Sequence, residues 1–173
     1  MMAKLLVVDL LAEREAFGKK GVEDIVRHFP GHEVLLWAPH TDDVRDYQFG
    51  KRIDRPESSD VIVITGSRRN VSQWEPWMDD VADLIRTCNV PLYGICFGHQ
   101  IICKALGGEV IRAQENSGFI AEVTYNDGTV TKQLFTHQDH VIDSGEMEVV
   151  GSAAHCEIAV CKHPTRPIKT VQY

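Results

Sequence analysis

The residues best placed to do covalent chemistry lie in Pro91-Leu92-Tyr93-Gly94-Ile95-Cys96-Phe97-Gly98-His99-Gln100. Cys96 has a glycine two positions before it and another two positions after. Val90 to Ile95 reads as a short buried strand, and Ile101 to Leu106 as a helix ended by Gly107-Gly108. A strand, a sharp turn centred on a nucleophile type and then a helix is the nucleophile-elbow pattern. The turn forces strained dihedrals on its central residue, and side chains at the flanking positions would strike the strand and the helix. A cysteine there stands at a helix N-terminus, where the dipole and free N–H groups favour thiolate. The backbone N–H of Phe97 would point toward a developing oxyanion. The competing reading is a buried structural cysteine in a strand–helix turn.

The remaining elements must bring other groups to this turn. Lys4 to Asp9 is an apolar, β-branched run and predicts a first strand; the opening Met1–Asp9 lacks the cleavage pattern of a signal peptide. Leu10 to Lys20 reads as a polar connection, Gly21 to Phe29 as a helix stopped by Pro30-Gly31, and Glu33 to Trp37 as a second strand. The charged stretch from Ala38 to Ser59 reads as a solvated loop or short helix. Asp60 to Thr65 is a fully apolar strand, which places it centrally in a parallel sheet. Gly66-Ser67 follow at its C-terminal end, the edge where open α/β sheets bind ligands. Glu75 to Cys88 predicts a helix with Pro76 in its first turn and Trp77, Val81, Leu84, Ile85 and Cys88 as its apolar stripe, with Trp74 and Trp77 as packing residues. Beyond Gly108 the runs Glu109–Arg112, Phe119–Tyr125, Val130–Thr136, Met147–Ser152 and Glu157–Lys162 are strand-like, and Asn126-Asp127-Gly128 signals a hairpin. Together these predict a doubly wound, mostly parallel α/β sheet flanked by helices, flavodoxin-like, with an antiparallel extension. No repeat or linker divides the chain, so one domain over residues 1–173 is expected.

Composition excludes several classes. The net charge of −7 argues against a nucleic-acid or anionic-membrane surface, and no apolar run has the length of a membrane span. Five cysteines without scaffold spacing predict reduced thiols in a cytoplasm.

The string Gly-Ile-Cys-Phe-Gly-His-Gln-Ile-Ile-Cys-Lys-Ala-Leu-Gly-Gly, Gly94 to Gly108, closely resembles the active-site segment of the class I glutamine amidotransferases. It is most similar to their stand-alone members, the GMP-synthase-type glutaminase domains and the gamma-glutamyl peptidases. Val63-Ile64-Thr65-Gly66-Ser67 and the following Pro76-Trp77 resemble the same members, as does Thr136-His137-Gln138-Asp139-His140-Val141. The resemblance implies Cys96 as nucleophile, with the N–H groups of Gly66 and Phe97 as the oxyanion hole. It implies Gln100, Thr136, Gln138 and Asp139 as substrate-pocket residues. The implied reaction is hydrolysis of the glutamine side-chain amide, or of a gamma-glutamyl bond, through a gamma-glutamyl thioester. No cofactor is implied; the implied partners are glutamine or a gamma-glutamyl small molecule and a synthetase subunit that receives ammonia.

A thiol nucleophile needs a base. The family's histidine and glutamate lie in a His-Pro-Glu motif after a strand that Ile168-Lys169-Thr170-Val171-Gln172-Tyr173 resembles, and Tyr173 is the last residue here. The expectation is a chain lacking its C-terminal end. His163-Pro164-Thr165 precedes that strand and has threonine for glutamate, so neither it nor His155 is the expected base; His137 and His140 read as structural loop histidines. Cys156, Cys161, His163 and nearby His155 fit no common zinc spacing, so no metal is predicted. Three other readings stay open: a free-standing gamma-glutamyl peptidase, a non-catalytic binding or regulatory protein of the same fold, and a thiol-stress relative of the same superfold. Phe97 stands where the thiol-stress relative has histidine.

Overall fold

Strand β1 (Lys4–Val8) is the apolar run expected near the start of the chain, and all of its residues but the first are buried. The computed structural model describes residues 2–13 and 15–173. Met1 and Arg14, which fall in the opening segment and in the stretch read above as a polar connection, lie outside the described residues. Helix α1 (Glu15–Val26) is followed by β2 (Glu33–Trp37), β3 (Lys51–Ile53) and β4 (Val61–Ile64). Next come α2 (Trp77–Thr87), β5 (Leu92–Ile95) and α3 (Phe97–Ala105). The remainder is strand: β6 (Glu109–Tyr125), β7 (Val130–Asp143), β8 (Glu148–Ala153), β9 (Cys156–Lys162) and β10 (Ile168–Val171).

All ten strands join one sheet in the order β3-β2-β1-β4-β5-β10-β9-β8-β6-β7. The pairs from β3 through β5 to β10 are parallel, and those from β10 onward are antiparallel. The central parallel strands β1, β2 and β4 are covered on both faces, which is why they are nearly unbroken apolar runs. Alternate residues feed two cores. Leu5, Val7, Val34, Leu36, Val61 and Val63 pack with Val22 of α1, whereas Leu6, Val8, Leu35, Ile62, Ile64 and Leu92 pack under α2 and α3.

Four regions differ from the sequence expectations. Helix α1 starts before Gly21, because its first-turn contact is made by a glycine: a Cβ on Gly18 would strike the Leu11 carbonyl, so no apolar side chain marks the period there. The charged stretch is not only a solvated loop. It contributes β3, whose Arg52 reaches back 2.7 Å to the fully buried carboxylate of Asp9. The runs Glu109–Arg112 and Phe119–Tyr125 are one strand, and β7 extends through Asp143, so Thr136 to Val141 lie in a strand and not in a loop. The ribbon absorbs its polar middle by a bulge, with the register jumping between Arg112 and Ser117. The α2 stripe includes Met78 and Ala82 beside Val81 and Ile85, and Trp77 is only partly buried.

Candidate active site

Strand β5 ends at Ile95, and α3 begins at Phe97. The single residue between them, Cys96, has φ 54°, and among the described residues it is the one non-glycine with positive φ. That conformation costs an L-residue of order 1–3 kcal/mol, so the surrounding packing must impose it. The packing is visible in the two glycines. A Cβ on Gly94 would lie 2.6 Å from the Gly98 carbonyl, and a Cβ on Gly98 would run into the carbonyl oxygen of Ile64 in β4. Strand, turn and helix thus approach so closely that only hydrogen fits at both positions.

The turn aims the Cys96 side chain at a polar cleft of about 270 Å³. The cleft is bounded by the loop after β4 (Ser67 to Asn70), by the start of α3, and by β6 and β7. Gly66 lies beside Cys96: its hypothetical Cβ would stand 3.6 Å from that of Cys96, and its N–H has no hydrogen-bond partner among the described residues. Phe97 opens α3 directly after the cysteine. Behind it the Phe97 ring stacks on Trp77, with centroids 5.8 Å apart. Trp77 therefore packs as expected, while Trp74 is more exposed and donates to Asp79 at 3.0 Å.

The expectation of a favoured thiolate is corrected here. Burial pushes the Cys96 thiol above its ordinary 9.0, outweighing the Phe97 N–H and the Gln172 amide, which pull it down. The polar contacts of Sγ are the Gln172 amide nitrogen at 3.6 Å and the Thr136 carbonyl at 4.0 Å.

The other sequence-predicted residues do come together around the cleft. Gln100, 3% exposed, donates from its amide to the Asp139 carbonyl at 3.2 Å and to Gln172 Oε1 at 3.1 Å. The Asp139 carboxylate accepts from the Ser72 N–H at 2.8 Å and the Ser72 hydroxyl at 2.7 Å. Gln138 accepts from Arg112 at 2.9 Å and donates to the Ala113 carbonyl at 2.9 Å. The side chains of Gln100, Gln138 and Asp139 are thus occupied in holding the cleft walls to one another. Sequence reasoning missed Gln172, which links Gln100 to the thiol. It also missed Ser72, Arg68 and Arg112; nothing local in the sequence marks them.

His163 and His155 are elsewhere. Strand β10 points its C-terminal end at the elbow, where the Cys96 N–H donates to the Val171 carbonyl at 2.8 Å. His163 precedes that strand, and its Nδ1 accepts the Arg166 N–H at 2.9 Å. His155 lies in the turn between β8 and β9, edge-on to Phe119 and Phe135. Among the described residues no imidazole is bonded to Cys96.

Behind α3 the donor atoms of His99, Cys103 and Cys161 lie within 4.8 Å of one another, all buried. Both His99 nitrogens are already used: Nδ1 is 2.7 Å from the Thr170 hydroxyl, and Nε2 is 3.0 Å from the Ile158 carbonyl. Burial holds that imidazole down at about 4, hence neutral. The hydrogen bond to Cys161 and burial together push the Cys103 thiol up. A metal here would have to displace satisfied hydrogen bonds, so the cluster reads as core.

Residues 31–173 match the family model described as glutamine amidotransferase class-I. A glutamine-hydrolysing GMP synthase subunit from Methanococcus aeolicus is 33% identical over 100 residues, 53% of each chain. Gamma-glutamyl peptidase 2 of Arabidopsis thaliana is 26% identical over 162 residues, 84% of this chain and 58% of that one. The chain spans about half the length of the curated relatives it matches first. Among solved structures, a glutamine amidotransferase from Thermotoga maritima superimposes with a TM-score of 0.69 at 18% identity, over 99% of this chain and 75% of that one.

Proposed function

Because this chain belongs to the class I glutamine amidotransferase family, we propose that Cys96 is the nucleophile of a glutaminase reaction. The observation that carries the reading is the strained cysteine between Gly94 and Gly98, opening on a polar cleft beside the unbonded N–H of Gly66. Sγ attacks the δ-carbonyl carbon of glutamine as its proton passes to a base. The carbonyl oxygen takes the negative charge between the N–H groups of Gly66 and Phe97. Collapse of the tetrahedral intermediate breaks the C–N bond, and the protonated nitrogen leaves as ammonia. Water then attacks the thioester and releases glutamate and the thiol.

The raised thiol makes the base essential. The resemblance implies a histidine supplied from the C-terminal end of β10, and we assign the base to that side of the thiol. The end of β10 supports this, since Val171 and Gln172 both bond to Cys96. The chemistry needs no cofactor. The relatives named as glutamine-hydrolysing GMP synthase subunits support ammonia transfer to a separate synthetase partner. One sheet shared by all ten strands supports a single domain. Five free thiols suit a reducing, cytoplasmic setting.

A second reading, hydrolysis of gamma-glutamyl peptides, is favoured by charge. Arg68 and Arg112 line the cleft, and neither has a carboxylate partner among the described residues; Arg112 bonds only the neutral Gln138. Glutamine offers one carboxylate, and a gamma-glutamyl dipeptide offers a second. The test compares release of ammonia from glutamine with release of amino acid from a gamma-glutamyl dipeptide, using the chain alone and the chain extended by His-Pro-Glu. The extension should raise turnover about 10²–10⁴-fold, the usual worth of a general base, and Cys96→Ser should abolish it. Turnover that survives Cys96→Ser would sink the proposal.

A further inference from the structure

The Gly66 N–H can act as an oxyanion donor only if its direction is held, and a glycine backbone is free to turn. The residue before it supplies a constraint. Thr65 follows β4 directly and is 1% exposed. Its own N–H donates to the Val8 carbonyl at 3.2 Å, which ties it to the end of β1. Its hydroxyl Oγ1 accepts the Leu10 N–H at 3.0 Å and donates to the Gly66 carbonyl at 2.8 Å. A hydroxyl has one proton to give. Leu10 brings an N–H to Oγ1, so that proton is left for an acceptor, and the Gly66 carbonyl takes it. Leu10 is itself fixed from both sides. The Asp9 N–H donates to the Trp37 carbonyl at 2.7 Å, and the fully buried Asp9 carboxylate accepts the Leu11 N–H at 3.2 Å. The turn after β1 thus anchors the loop after β4 through one side chain.

We propose that Thr65 is a positioning residue for the oxyanion hole: its hydroxyl, locked by Leu10, holds the Gly66 N–H in the direction the oxyanion requires. The inference rests on the reading of Cys96 as nucleophile and Gly66 as donor. The bond from Oγ1 to the Gly66 carbonyl closes a ring of atoms that contains the Thr65–Gly66 peptide. Both glycine dihedrals lie in that ring, so the bond restrains each of them. Gly66 stands where a Cβ would be 3.6 Å from the Cys96 Cβ, and its N–H is unbonded among the described residues. Oxyanion donors work by being preorganised, about 2.7–3.1 Å from the oxyanion. Valine has the shape of threonine without the hydroxyl. At position 65 it would leave the Leu10 N–H unpaired and release the Gly66 carbonyl. A threonine that served only to satisfy Leu10 would change stability alone; a positioning threonine also changes the chemistry that needs the oxyanion hole.

The test compares two reactions of the Cys96 thiol in the same chain. Acylation by p-nitrophenyl acetate forms the Sγ–C bond, passes through an oxyanion and expels p-nitrophenolate. Alkylation by iodoacetamide displaces iodide from a methylene carbon and develops no oxyanion. Both draw on the same thiolate, so the ratio of their rates cancels changes in its ionisation. Each rate is read at Cys96 by peptide mass, with Cys96→Ser as the blank. Thr65→Val should lower the acylation rate about ten- to a hundredfold, since a misplacement of about 1 Å is worth about 10²-fold, and leave the alkylation rate within about twofold. Thr65→Ser, which keeps the hydroxyl, should restore the wild-type ratio. Thr65→Ala supplies the same comparison if Thr65→Val does not fold. A ratio unchanged in Thr65→Val, or lost equally in Thr65→Ser, overturns the positioning role and leaves Cys96 as nucleophile. Wild-type Cys96 that is alkylated but not acylated overturns the nucleophile reading and the positioning role with it.

Discussion

Gly98→Ala tests the elbow geometry directly. The added methyl would meet the Ile64 carbonyl oxygen, with the Ile64 carbonyl carbon at 3.0 Å and its Cβ at 3.1 Å. Neither side can yield by rotating a side chain, because Gly98 is in the first turn of α3 and Ile64 ends a central strand. Relief requires α3 to move away from β4, which opens the core formed by Phe97, Ile101, Ile102 and Ile64. Overpacking a close-packed interior costs about 1–3 kcal/mol where side chains can adapt, so a backbone clash falls at about 3 kcal/mol or above. For a chain of this size that corresponds to a drop in melting temperature of about 6–12 °C. The control is Gly66→Ala, whose Cβ would meet Cys96 Cβ at an ordinary 3.6 Å; it should change stability by less than about 0.5 kcal/mol. Both are read by thermal and urea unfolding. If Gly98→Ala matches the wild type, or if the two variants lose equal stability, the account of why glycine occupies position 98 is wrong.

Other perturbations test the supports of the site. Arg52→Met strands the buried Asp9 carboxylate and should cost about 3 kcal/mol at pH 7. Burial already raises Asp9 above its ordinary 3.8, and Arg52 is what pulls it down, so the variant should recover stability as pH falls below neutrality and Asp9 binds a proton; a pH-independent loss would contradict this. Gln172→Leu removes an acceptor from Gln100 and a donor from the Cys96 thiol. It should cost about 1–2 kcal/mol in urea unfolding and slow iodoacetamide labelling of Cys96. Replacing Arg68 and Arg112 together by Gln should raise KM for a gamma-glutamyl dipeptide about tenfold while leaving that for glutamine less affected. Equal effects on the two substrates would remove the charge-based support for the peptidase reading.

Much of this was legible along the chain. The apolar runs that became β1, β2, β4 and β5 were readable because strands covered largely on both faces carry few polar residues to confuse the pattern. The elbow was readable because its requirement is local: glycines at fixed offsets from one cysteine. The start of α1 escaped because glycine, not an apolar side chain, makes the contact at Gly18. The length of β6 and β7 escaped because a bulged, half-exposed ribbon breaks strict alternation.

The order of strands and helices, the strained cysteine and the family to which the motifs point were all set along the chain. Those properties depend on dihedral preference and hydrophobic period over a few neighbouring residues. Folding alone determined that Gln172 touches the thiol, that Ser72 holds Asp139, and that Arg52 neutralises Asp9. Those pairs are separated by 76, 67 and 43 residues. Sheet order and register bring them together, and no period in the sequence encodes which distant side chains will meet across them.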